Sequence, residues 1–380
     1  MSEQPVIPFN RPTLTGKELE YIADSVRRGK ISGDGYYTRW CQDFIEERFG
    51  AGKCLLTTSG TAALEMAGLL AGIEPGDEII MPSFTFVSTA NAFIRAGARP
   101  VFADIRPDTL NLDEEKIEDK ITEKTKAVVP VHYAGTGCEM ERICEIAAAR
   151  KLLVIEDAAQ ALNSRYGDRF LGTIGEFGAF SFHETKNVIS GEGGAILINR
   201  EAFYERAEIV WEKGTNRRNF FRGLVDKYTW VDVGSSYLPS EILAAFLKAQ
   251  LENLESLQAA RLRVWETYRA AFAELEKAGR LRRLGSSPRS PGNQHIFALL
   301  LPSPVQRDEL LQGLKKRGIL AVFHYLPLHD SPYGQRLGYR RGDFPVSEEM
   351  AGRLLRLPLF AGLTEAETAR VVAAVKECLN

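Results

Sequence analysis

Four short segments of this 380-residue chain place useful side chains just beyond apolar, β-rich runs. In Val154-Ile155-Glu156-Asp157 an apolar run ends on two adjacent acids. A carboxylate there is costly to bury unless it is hydrogen-bonded or paired with a cation, and Asp157 can meet that need against a protonated ring nitrogen. In Phe180-Ser181-Phe182-His183-Glu184-Thr185-Lys186 a lysine lies between an aromatic run and the turn Gly191-Glu192-Gly193-Gly194. Partial desolvation there lowers an amine's pKa and makes it nucleophilic, although most lysines are solvated surface residues. Thr57-Thr58-Ser59-Gly60-Thr61 reads as a strand-to-helix turn whose free N–H groups suit a phosphate; a simple helix cap explains it as well. Past Met81-Pro82, Phe84 or Phe86 can stack on a flat ligand ring, and core burial is the commoner fate of Phe. Together, a phosphate cup, a stacking aromatic, a strand-end aspartate and a later lysine are the parts needed to hold pyridoxal phosphate and form a Schiff base with it.

Elements that position these residues follow from hydrophobic patterning. Short β-rich runs (54–56, 78–81, 100–103, 127–131, 152–156) alternate with helical stretches such as 61–70 and 139–150, which implies a mostly parallel sheet covered by helices on both faces. Ligands of such sheets bind beyond the C-terminal strand ends, where all four segments lie. Thr15-Gly16-Lys17-Glu18 is a capping box ahead of Leu19, Ile22, Ala23 and Val26 at helical spacing. The run from Ser240 to about Ala278 reads as helical and links the large unit to a smaller C-terminal α/β unit containing strands at 296–301 and 319–323.

Bulk composition narrows the classes. The formal net charge of -2 and 26% charged residues exclude a binder that relies on a strongly basic surface for nucleic acid. No stretch has the ~20 apolar residues of a membrane span, and Met1-Ser2-Glu3-Gln4-Pro5 lacks the features of a signal peptide, so a cytoplasmic protein is expected. The five cysteines show no C-x-x-C pair and the histidines no H-E-x-x-H, so no metal is expected.

The ordered motifs S-G-T-A-A-L, P-S-F-T-F, E-D-A-A-Q and S-F-H-x-T-K-N with G-E-G-G resemble the DegT/DnrJ/EryC1/StrS sugar-nucleotide aminotransferases, and the likeness runs from Pro8-Phe9-Asn10 to Leu357-Pro358-Leu359-Phe360. The resemblance implies the α/β fold-type I architecture of pyridoxal 5'-phosphate enzymes: a large cofactor-binding domain over 1–250, with a mostly parallel mixed sheet flanked by helices, and a small C-terminal α/β domain over 251–380. It makes Lys186 the cofactor-linking lysine and proton shuttle. Asp157 becomes the partner of the pyridinium nitrogen, Gln160 the neighbour of the phenolic oxygen and Phe86 the stacking ring, with Gly60, Thr61, Ser59 and Ser181 holding the phosphate. Lysine at 186, where some dehydratase relatives carry histidine, favours transamination. Ser236 stands where relatives have an asparagine that reaches the neighbouring subunit's phosphate, so its cross-subunit contact is open.

A homodimer with shared active sites is implied, as are a nucleotide-sugar substrate and L-glutamate as donor. Details such as Lys30-Ile31-Ser32-Gly33-Asp34-Gly35 and Gly214-Thr215-Asn216-Arg217 are similar to members that aminate dTDP-4-keto-6-deoxy-D-glucose at C4. Amination at C3 or of a UDP-linked keto sugar is the alternative. A non-catalytic cofactor-binding regulator predicts an added DNA-binding segment or a lost lysine, and neither is seen; a scaffolding role would leave the intact lysine, aspartate and phosphate cup unexplained. For the substrate, Arg217 with Lys213, Arg218 and Arg222 offers cations, or is a solvated charge run. Tyr325 and His329 can contact sugar or base, or simply pack, and His183 has no assigned role.

Overall fold

The computed structural model describes residues 5–379. Its strands are β1 (Lys53–Thr57), β2 (Glu78–Pro82), β3 (Arg99–Ala103), β4 (Thr125–Val128), β5 (Leu153–Asp157), the short hairpin β6 (Arg165–Tyr166) and β7 (Arg169–Phe170), then β8 (Phe177–Ser181) and β9 (Gly194–Ile198). Outside the hairpin they form one seven-stranded sheet in the order β1-β9-β8-β5-β4-β2-β3. Only the two pairings made by β9 are antiparallel, so the sheet is mostly parallel and mixed, as expected.

Strands such as Ile79-Ile80-Met81 and Ala195-Ile196-Leu197-Ile198 are apolar throughout because helices cover both faces. Side-chain alternation divides them between two cores. Leu56, Ile80, Val154 and Leu197 pack on one face with the helices Tyr36–Phe49 and Met140–Arg150. Leu55, Ile79, Ile155 and Ile196 pack on the other with the helices Gly60–Leu70 and Val87–Ile94.

A smaller antiparallel sheet, β10 (Arg282–Arg283), β11 (Phe297–Leu300) and β12 (Leu354–Leu357), packs with the helices Leu254–Ala271, Pro304–Lys316 and Glu365–Leu379 around a third core that also takes in Ile7. No helix among the described residues is long and apolar enough to cross a membrane.

Local differences from the sequence reading have physical causes. The long helix from Ser240 breaks into Glu241–Leu251, Leu254–Ala271 and Ala273–Lys277. At the first break the Asn253 side chain donates to the Ala249 carbonyl, offering the backbone an alternative to helix. Residues 319–323 make only the isolated bridges Ile7↔Ile319 and Val322↔Arg356, while the third small-sheet strand is β12, whose Arg356 interrupts the apolar pattern. At the first helix, Glu18–Arg27, only half of the expected capping box forms: the Thr15 N–H donates to Glu18 Oε1 at 2.7 Å, but the Thr15 hydroxyl donates to the same oxygen at 2.9 Å and caps no helix N–H. Gln250 and Thr15 draw Glu18 inward, and the apolar Leu19 and Val26 face outward.

One close approach joins the sheet to the phosphate-cup turn. A Cβ on Gly194, the first residue of β9, would lie 2.4 Å from the Ser59 carbonyl and 2.5 Å from the Gly60 nitrogen. Gly194→Ala must therefore push β9 from the start of the helix Gly60–Leu70. Chemical denaturation of the cofactor-free protein should show a loss of about 1–3 kcal/mol, and titration should show weaker uptake of pyridoxal phosphate. Unchanged values for both would mean that the turn tolerates displacement.

Candidate active site

The C-terminal ends of the parallel strands open into a cavity of about 1040 Å³, walled on its other side by the N-terminal segment, the loop Val322–Leu328 and β12. Ser59, Gly60, Thr61, Phe86, Asp157, Gln160, Ser181, Lys186 and Tyr325 all line it, as do His183, His295, His324 and Arg356. The fold thus brings to one place nine residues singled out from sequence.

Asp157 closes β5 and is 6% exposed. Its Oδ2 accepts from the Thr89 hydroxyl at 2.7 Å and its Oδ1 from the Ala159 N–H at 3.2 Å. Thr85 holds Thr89 in turn at 2.8 Å. Its neighbour Glu156 points to the opposite face and is fully buried. There it accepts from the N–H groups of Gly172, Ile174 and Gly175 and contacts His132 Nε2 at 2.9 Å. Of the two acids, one is a structural knot and the other is presented to the cavity.

Lys186 is half-buried and lines the same cavity. Desolvation lowers its pKa from 10.5 to about 8, against the raising effect of Asp157 and with a further lowering from Arg356. Near neutral pH roughly a tenth of the amine is therefore neutral and nucleophilic, far more than at the solvated value, facing a carboxylate.

Ser59 caps the helix Gly60–Leu70, its hydroxyl accepting from the Ala62 N–H at 3.0 Å. The Thr61 and Ser88 hydroxyls meet at 2.7 Å, so the starts of two helices and their hydroxyls converge. A Cβ on Gly60 would come within 2.9 Å of Ser181 Cβ, so glycine lets the strand end and the helix start close into one cradle. Such a cradle fits a phosphate. Phe84 is buried, whereas Phe86 is 55% exposed and stands over the cavity floor.

Across the cavity, Gln160 accepts from the Ala134 N–H at 2.7 Å and donates to the Tyr325 hydroxyl at 2.9 Å. Tyr325 has φ of +28°, a strained conformation for a side chain of its size, and its ring overlies that of His324 with centroids 3.6 Å apart. Burial holds His324 and His295 well below the usual histidine range, so both are neutral walls.

Three sequence candidates lie outside this cavity. His329 is not a sugar or base contact but a buried strut: it has no exposed surface, and its ring nitrogens meet the Ser83 hydroxyl at 2.6 Å and Glu348 at 2.9 Å. Arg217 is exposed, 3.5 Å from Glu212 and over the Phe221 ring. Ser236 is exposed and bridges Glu212. Nearby, Glu208 binds Lys53, Arg218 and Arg222, which hold its carboxyl down to about 2. Sequence reading missed Thr89, Ser88 and Arg356. The four-residue step from Thr85 to Thr89 is a helix-face signal for the first. Nothing in the sequence pattern brings Arg356 near Lys186.

The Lys186 environment makes a pH prediction. The rate at which cofactor-free protein takes up pyridoxal phosphate should rise with pH around a midpoint near 8, as the ammonium loses its proton. Asp157→Asn removes a negative charge that favours the ammonium and should move the midpoint lower. A midpoint at the solvated value of 10.5 would put Lys186 in water.

Comparison with known proteins agrees with this geometry. Residues 12–376 match the DegT/DnrJ/EryC1/StrS aminotransferase family. The chain is 34% identical over 392 residues to GDP-perosamine synthase of Caulobacter vibrioides, covering 100% of both chains. Among solved structures it is similar to the PLP form of Spr1654 from Streptococcus pneumoniae (TM-score 0.90, 26% identity, 99% of this chain and 100% of that one). It is also similar to PseC of Helicobacter pylori, an aminotransferase involved in the biosynthesis of pseudoaminic acid (TM-score 0.90, 25% identity, 99% of each chain). The chain belongs to the DegT/DnrJ/EryC1/StrS aminotransferase family, and with it to the pyridoxal-phosphate-dependent sugar aminotransferases.

Proposed function

We propose that the protein transfers an amino group from L-glutamate to the 4-keto group of a nucleotide-linked 6-deoxyhexose, with dTDP-4-keto-6-deoxy-D-glucose as the leading substrate. The observation that carries this reading is the desolvated Lys186 amine beside Asp157, in a cavity large enough for both cofactor and sugar. When bound, pyridoxal phosphate supplies an electron sink that lets a C–H bond beside the transferred nitrogen break heterolytically.

The chain's own residues do the rest. Lys186 would take a proton at Nζ from one carbon and return it to another. Thr89 and Ala159 hold the Asp157 carboxylate in place, where it would pair with the cofactor's ring nitrogen. Phe86 would cover one ring face, Gln160 would border the phenolic oxygen, and Ser59, Gly60, Thr61 and Ser181 would hold the phosphate. Tyr325 faces the sugar.

The same reading includes a homodimer with shared sites. It is supported by exposed apolar side chains on two segments: Leu19 and Val26 on the first helix, and Phe221, Leu224 and Trp230 in the segment after Arg217. Surface of that kind is seldom left in water. In this assembly Arg217 and Ser236 serve the partner's site, Arg217 near the diphosphate and Ser236 near the phosphate. The full-length match to a GDP-perosamine synthase favours a second reading, a GDP-linked 4-keto sugar; C3 amination or a UDP-linked sugar is the remaining variant.

Visible spectra of the purified holoenzyme test the reading. Glutamate should bleach the cofactor band, and dTDP-4-keto-6-deoxy-D-glucose should restore it. Bleaching without recovery moves the assignment to GDP- or UDP-linked sugars, and absence of any band after reconstitution overturns it. Lys186→Ala should lower turnover by at least about 10³-fold with unfolding unchanged; near-normal rates would remove Lys186 from the mechanism.

A further inference from the structure

His295, just ahead of β11, lines the cavity, is 6% exposed and has no role in the account above. Its Nδ1 lies 2.8 Å from Asn187 Oδ1, and no group among the described residues hydrogen-bonds its Nε2. Which ring nitrogen carries the proton is decided by two buried amides. Asn293 Nδ2 donates to the Gln160 and Leu162 carbonyls at 2.9 and 2.8 Å, so its Oδ1 faces the His295 N–H at 3.1 Å. Asn187 Nδ2 donates to the Asn293 carbonyl at 3.1 Å. That contact turns Asn187 Oδ1, which can only accept, toward the imidazole, so His295 Nδ1 must donate. The arrangement has no slack: a Cβ on Gly135 would collide with Asn293 Oδ1, and the Arg261 guanidinium donates to the carbonyls of Gln294 and His295 from behind. Burial and the nearby charges of Lys186, Arg261 and Arg356 keep a second proton off the ring. His295 therefore presents Nε2 to the cavity as a bare, fixed hydrogen-bond acceptor.

An acceptor within electrostatic reach of Lys186 must meet a donor close to the reacting carbon. Glutamate offers none besides the nitrogen it transfers, because its carboxylates carry only lone pairs. A hexose does. In a 4-keto-6-deoxyhexose, C5 carries the ring oxygen and the methyl group, so the one hydroxyl beside the carbonyl is on C3. A keto sugar aminated at C3 would likewise carry a hydroxyl beside its carbonyl.

We propose that His295 Nε2 accepts a hydrogen bond from the sugar hydroxyl on the carbon next to the reacting carbonyl. Asn187 and Asn293 are positioning residues that keep this nitrogen unprotonated. The inference rests on the aminotransferase reading and adds a residue that reads the sugar. Because Asn187 follows Lys186 directly in the chain, the segment that carries the reacting amine also sets the hydrogen-bonding sense of the sugar contact.

The test compares dTDP-4-keto-6-deoxy-D-glucose with its 3-deoxy analogue on the pyridoxamine form of the enzyme. For each sugar, the concentration that half-restores the cofactor band is measured. Wild type should need roughly 5- to 140-fold more of the analogue, the cost of leaving a buried acceptor without its donor. In His295→Phe that ratio should fall below roughly 3-fold, within ordinary context effects. Asn187→Leu releases the tautomer and should lower the ratio as well, whereas Asn187→Asp still offers Nδ1–H an acceptor and should keep most of it. A purely structural defect weakens both sugars alike and leaves the ratio unmoved. Nitrogen-15 NMR of histidine-labelled protein should show a ring protonated at Nδ1 and bare at Nε2 that disappears in His295→Phe. A wild type indifferent to the 3-hydroxyl, a ratio retained in His295→Phe, or a ring protonated at Nε2 overturns the assignment. If the variants fail to fold, the wild-type ratio and spectrum decide it. If only a GDP- or UDP-linked sugar restores the band, the ratio is taken with that nucleotide's pair and judged in the same way. If no keto sugar restores it, the aminotransferase reading fails and takes this assignment with it; turnover without hydroxyl preference overturns this assignment alone.

Discussion

An amine that must act as nucleophile and base near neutral pH cannot remain in bulk water, where its pKa stays near 10.5. Lys186 is moved out of water by two bodies of structure that meet over it: the strand ends of the large sheet below, and the N-terminal segment, the Val322–Leu328 loop and β12 above. Neither surface alone would desolvate the lysine. The depression of its pKa therefore depends on the packing of the third core, which sets β12 and its loop in place.

Charge in this cavity is balanced with few groups. Asp157 favours the ammonium and Arg356 disfavours it, while His295 and His324 are kept neutral by burial and add no positive charge. Strain is concentrated on the same wall. Tyr325 is held at positive φ by its hydroxyl contact with Gln160 and its stack on His324, while the Tyr133 hydroxyl meets His324 Nδ1 at 2.7 Å. That aromatic group ties the small domain to the residues beside the Asp157 strand, so a change in the relative placement of the two bodies would be felt at the lysine.

The sheet supplies selectivity among residues that look alike in sequence. Glu156 and Asp157 are adjacent acids, yet the period of two in a strand sends one to a closed nest of N–H groups and the other to the cavity. Phe84 and Phe86, in the turn after β2, also divide, one into the core and one over the site, although no strand alternation separates them. The antiparallel insertion of β9 between β1 and β8 brings Gly194 against Ser59 and Gly60, which closes the cradle and explains why a residue without a side chain begins that strand.

Local chemistry was enough to read the cavity floor. Strand periodicity, a capped helix start and a lysine after an aromatic run are short-range signals, and their residues converge because parallel strands all deliver their C-terminal ends to one edge. The same holds for the fold class, set by β-α alternation. Long-range packing decided the rest. His329 and Tyr325 sit in one loop of similar composition, but only the tertiary arrangement satisfies both nitrogens of the histidine and buries it while leaving the tyrosine at the cavity. Arg356 reads as one more arginine in a basic, apolar stretch, and Leu19 and Val26 read as core. The first becomes an unpaired cation beside a lysine distant in sequence, and the others face outward, because burial and ion pairing depend on which surfaces meet and no local pattern records that.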